Sequence, residues 1–151
     1  MEAFDKANMI RVWVSLILGF FLICLGLPAY GDDWKQTITL SNGDVVLDMN
    51  GEWDYNFEPY GKWDVLSKMT NVLEIKMEGS SFIGIRKNLE GLHSPGSEAT
   101  RGELDKTGIK KIQYITQHQK DPIDAKGEIH GNGNKIIIEA SQRCKITLTR
   151  R

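Results

Sequence analysis

What this chain lacks excludes several classes of function. It holds two cysteines in 151 residues, Cys24 and Cys144, too few for a disulfide framework. Its charge is balanced, with 19 Lys and Arg against 20 Asp and Glu. There is no basic excess to attract nucleic acid or an anionic membrane surface. No Gly-x-Ser-x-Gly elbow occurs. No glycine-rich loop precedes a helix that could hold phosphate, and Gly131-Asn132-Gly133 reads as a hairpin turn. Ser94 beside His93 is not a triad, because adjacent residues seldom face each other productively. The three histidines, His93, His118 and His130, have no zinc spacing. His93 and His118 are expected to be solvated loop residues, and His130 to lie on the outer phase of a strand. The acidic residues Asp44, Asp48, Glu52, Asp54 and Glu58 have only Lys35 as a neighbouring cation in the sequence. Asp48-x-Asn50-Gly51 lacks the spacing of an EF-hand loop, so these side chains are expected to form a solvated face. The expectation is a protein without catalytic residues, metal or cofactor.

Long apolar runs are also scarce, and the one present lies at the start. A polar segment with Lys6 and Arg11 precedes Val12 to Leu27, an apolar run of about sixteen residues where a bilayer span needs roughly twenty. Ala29-Tyr30-Gly31 supplies the small-x-small pattern of a secretory cleavage site. The expected organisation is a signal peptide over residues 1–31 and a single domain over 32–151, exported to the periplasm or outside the cell. The alternative is a retained anchor through residues 12–27. Cys24 follows Ile23, where a lipobox has a small residue. Cleavage would leave no stable membrane insertion and only Cys144, expected to be a small buried hydrophobe.

The remainder is rich in β-formers and turns, and no segment shows a convincing helical face. Thr37 to Leu47 reads as a hairpin around Asn42-Gly43. Trp53, Tyr55 and Phe57 alternate with Asp54 and Asn56, as in a half-buried strand. Trp63 and Val65 continue at period two, although a helical turn fits there as well. Leu73, Ile75 and Met77 form the next strand, and Phe82 to Ile85 runs back. Gly84 within that strand indicates a bend or a close backbone approach. Residues 88–108 break the rhythm and read as a long loop. Further strands follow at Ile112 to Thr116, Gly127 to His130, Ile136 to Ile138 and Cys144 to Thr149. The fold class is all-β, an antiparallel up-and-down meander of about eight strands. Such a meander can close into a barrel and so remove its edges.

Gly51-Glu52-Trp53 resembles the Gly-x-Trp opening of lipocalin-type barrels. Leu73 to Gly84 and Gly127-x-Ile-x-Gly resemble hairpins of small secreted lipocalin-like domains. Ile146 to Arg150 resembles their closing strand, which carries a basic residue. The chain is shorter than most lipocalins and lacks their usual disulfide and C-terminal helix. The resemblance implies a closed or nearly closed barrel that binds a small apolar ligand, with Trp53, Trp63, Ile75, Phe82 and Tyr114 as candidate interior residues. Trp53 and Arg150 are the expected closure pair, since an even-stranded meander sets the end of its last strand beside the start of its first. The alternative is an envelope structural or protein-interaction domain with a filled core.

Overall fold

A computed structural model of the chain describes residues 34, 36–116 and 121–151. The chain divides into Met1–Tyr30, which holds none of the described residues, and the compact unit Gly31–Arg151. The leader reading, Cys24, Lys35 and His118 lie outside the described residues.

The described residues form ten strands in order: β1 (Thr37–Thr39), β2 (Val45–Leu47), β3 (Gly51–Pro59), β4 (Met69–Glu78), β5 (Ser81–Arg86), β6 (Glu98–Asp105), β7 (Gly108–Tyr114), β8 (Ile123–His130), β9 (Lys135–Ala140) and β10 (Cys144–Arg150). β1 and β2 form a separate two-stranded hairpin. The other eight close into an antiparallel barrel in the order β10-β3-β4-β5-β6-β7-β8-β9, an architecture consistent with a calycin-like fold. Closure between the last and first barrel strands runs in register from Cys144↔Pro59 to Arg150↔Trp53.

Alternation explains most of the strands. In β3, Trp53, Tyr55 and Phe57 are buried while Glu52, Asn56 and Glu58 are exposed. In β9 and β10, Ile136, Ile138, Ile146 and Leu148 point into the same core. Apolar burial of this kind is the main stabilising term in a barrel without disulfides.

The eighth barrel strand lies elsewhere than the sequence pattern indicates. Gly61–Trp63 is a single 3₁₀ turn and Val65 is 87% exposed, so no strand runs from Trp63 onward. Within the expected long loop, Glu98–Asp105 is instead a strand paired on both sides, with β5 and with β7. Its inward positions are Thr100, Gly102 and Leu104, only one of them a large hydrophobe. Its register with β5 shifts, with Gly84 opposite Thr100, Ile85 opposite Glu98 and Ala99 as the extra residue. Gly84 is required at this shift, because a Cβ there would stand 2.8 Å from Thr100 Cγ2.

The two barrel ends differ. At the base, Val46, Leu47 and Met49 from the hairpin and the segment after it are fully buried against the core. The Trp53 indole N–H donates to the Met49 carbonyl at 2.9 Å. Gly133 in the β8–β9 turn has φ +86, and a Cβ there would run into the Leu47 side chain. Arg150 stands over Trp53 at 4.4 Å from the ring centroid. It also donates to the carbonyls of Asn50 and Asp48, and burial pushes its pKa down from the usual arginine value. The opposite end, the mouth, carries residues 60–68 between β3 and β4 and residues 87–97 between β5 and β6. The β9–β10 turn is also there, tied to the first segment by Tyr60 N–H to Arg143 O and Lys62 N–H to Gln142 O, each 2.8 Å.

Candidate functional site

A cavity of about 480 Å³ opens at the mouth. Its wall is mainly apolar: Phe57 from the end of β3, Trp63 and Leu66 from the first mouth segment, Met69 from the start of β4, Leu92 from the second segment and Tyr114 from the end of β7. The aromatic side is preorganised. Phe57 and Tyr114 stack at 6.2 Å and 25°, and Trp63 meets Tyr114 edge-on at 6.2 Å. Arg143 lies over the Trp63 ring at 5.8 Å.

Beneath this wall is a polar cluster. Arg86 reaches inward from the end of β5, and its side chain and that of Glu90 are both 0% exposed. Arg86 Nε donates to Glu90 Oε2 at 3.1 Å. Its Nη1 donates to the Glu98 carbonyl, and its Nη2 to the Ile115 carbonyl at 3.2 Å. Asn71 Nδ2 donates to Glu90 Oε2 at 3.2 Å and to the Asn88 carbonyl at 3.0 Å. Asn71 Oδ1 accepts the Asn88 N–H at 3.1 Å. The second mouth segment is therefore fastened to the barrel by side chains pointing into it.

Among the described residues, two buried oxygens of the cluster have no hydrogen-bond partner, Glu90 Oε1 and Tyr55 Oη. Leaving such a group unpaired costs about 1–3 kcal/mol, and more for a charged one. Tyr55 is pushed well above the usual tyrosine pKa by burial, then by the neighbouring Tyr114 and Glu90. Tyr114 is raised as well, again chiefly by burial.

The five candidate interior residues separate into two groups. Trp63 and Tyr114 line the cavity. Trp53, Ile75 and Phe82 are buried in the core outside that lining. Phe57 lines the cavity and was legible from its phase with Trp53 and Tyr55. Glu90 and Leu92 gave no such signal, since a charged residue and a leucine in an irregular segment carry no periodicity. His93 corrects the solvated-loop expectation: it is 7% exposed, lines the cavity and exchanges both backbone hydrogen bonds with Glu90. His130 is exposed on its strand, 3.3 Å from Glu128.

The acidic face finds its cations just beyond the ends of other strands. Lys87 pairs with Glu52 at 2.6 Å, Arg151 with Asp54 at 2.8 Å and Lys68 with Glu58 at 3.0 Å. Hydrogen bonding and charge from Lys87 hold the Glu52 carboxyl below its usual pKa. Among the described residues, no three His, Cys, Asp or Glu side chains converge as a metal set.

No protein-family model, curated protein or solved structure matches this chain. Its functional reading therefore rests on the geometry of the barrel itself: a base sealed by Met49, Trp53 and Arg150, and a mouth that opens into an apolar cavity.

Proposed function

We propose that this is an exported, non-enzymatic, lipocalin-like barrel that binds one small, predominantly apolar molecule at its mouth. The observation that carries this reading is the cavity of about 480 Å³, a volume within the roughly 300–1,000 Å³ range of small-molecule sites. The Gly51-Glu52-Trp53 opening and the Arg150 cap over Trp53 at 4.4 Å support the lipocalin-like assignment. The apolar run and small-x-small pattern before residue 32 support export.

The test is titration with a neutral solvatochromic dye such as Nile red. Saturable binding of one dye per chain is expected. It should be lost when Met69→Trp fills the cavity in a chain that still melts cooperatively. Absence of saturable binding to the wild-type protein would overturn the proposal.

A second reading, a protein-interaction domain, draws on the exposed Val65, Leu89 and Leu92, at 87%, 69% and 70% exposure. Contiguous exposed apolar residues can mark a docking surface. Replacing Leu89, which lies outside the cavity lining, by serine separates the two readings, since it is not required for a ligand held inside and dye affinity should persist.

A further inference from the structure

We infer that the ligand is an uncharged amphiphile, an apolar body ending in a hydroxyl or a primary amide, with its donor hydrogen seated on Glu90 Oε1. This rests on the cavity-binding reading above and specifies the chemistry of that site.

Glu90 lines the cavity, yet its side chain is 0% exposed. One carboxylate oxygen is already committed: Oε2 accepts from Arg86 Nε at 3.1 Å and from Asn71 Nδ2 at 3.2 Å. The other, Oε1, has no donor among the described residues. An ionised carboxylate is acceptor-only, so its complement is a group that brings a hydrogen.

Charge then decides which donor. Arg86 is the counter-ion of Glu90, and it also donates to the Glu98 and Ile115 carbonyls. The pair is neutral before a ligand arrives. An ammonium group would add an uncompensated charge in a buried site, which is strongly disfavoured. A ligand carboxylate would set acceptor against acceptor. A neutral donor meets Oε1 without either penalty. The rest of the ligand faces Phe57, Trp63, Met69 and Leu92, which reward apolar surface.

The experiment is displacement of bound Nile red from the wild-type protein at neutral pH by four compounds of equal chain length: 1-decanol, decanamide, decanoate and decylammonium. The alcohol and the amide should compete at least tenfold more strongly than the two ions. A double substitution, Arg86→Met with Glu90→Met, removes the pair without leaving an unpaired charge. It should retain dye binding, lose the advantage of the amide over an apolar competitor of similar size, and melt cooperatively. If Nile red binds but the four compounds compete equally, or an ion competes best, the head-group inference fails while the binding reading stands. If neither the dye nor any of the four binds, the binding reading itself fails. If the double variant does not fold, the wild-type series alone decides.

Discussion

Trp53 shows how one residue can serve several purposes at once. It is fully buried, donates its indole N–H to Met49 O and carries the Arg150 guanidinium on its face. Arg150 in turn caps the carbonyls of Asp48 and Asn50, which end the hairpin segment. The barrel seam and the base seal thus share one contact. Truncating Trp53 to alanine should cost about 3–5 kcal/mol. Arg150→Ala should cost less, because cation–π stacking contributes about 0.5–2 kcal/mol and the rest comes from two carbonyl acceptors that lose a donor. Urea melts of the two single variants and the double variant check this. A coupling of at least about 0.5 kcal/mol is expected, the range found for residues in contact. Additivity within error would mean that the two side chains act independently.

Elements were legible where alternation was clean and side chains were large. β3, β4 and β10 read directly from Trp53-x-Tyr55-x-Phe57, Leu73-x-Ile75-x-Met77 and Ile146-x-Leu148, and β9 from the continuous apolar run Ile136-Ile137-Ile138. β6 was hidden for a physical reason. It crosses the barrel opposite Phe82 and Gly84, where the room left for its own side chains is small, so its inward positions are Thr100 and Gly102. A bulge at Ala99 shifts the phase as well. The Trp63 segment shows the opposite error: aromatic and aliphatic residues at period two line a mouth instead of forming a strand. The site followed the same logic. Phe57, Trp63 and Tyr114 were visible as large aromatics, whereas Glu90 depended on a loop folding inward onto Arg86, a tertiary event with no local pattern. Hydrogen exchange tests the revised assignment. Amides of Glu98–Asp105, held between two neighbours, should exchange slowly with the barrel. Leu89 and Leu92, largely exposed in the mouth segment, should exchange fastest. Fast exchange throughout residues 98–105 would return that stretch to a loop.

At the scale of the whole molecule, an eight-stranded barrel without disulfides stands or falls with its interior, and the interior has an alkaline weakness. Cys144 is free and fully buried at the start of β10, and burial pushes its thiol up to about 12. Tyr55 and Tyr114 are raised by the same cause. Each of these groups is neutral when protonated, so a raised folded pKa means that the native state holds protons that the unfolded chain releases. Below the unfolded pKa values both states are protonated and stability is unaffected. Above them the unfolded state binds fewer protons, and stability falls as pH rises. The fall begins near the unfolded thiol pKa of about 8.5 and steepens near the unfolded tyrosine value of about 10. Cys144 alone contributes a slope of up to about 1.4 kcal/mol per pH unit until its folded value of about 12 is reached. Urea midpoints should therefore hold steady around neutral pH and decline progressively above the thiol value. Cys144→Ala should remove the first part of the decline and leave the tyrosine part. A midpoint for the wild-type protein that stays flat through the tyrosine range would mean that these side chains are solvated. The sealed, apolar interior on which the binding reading depends would then be wrong.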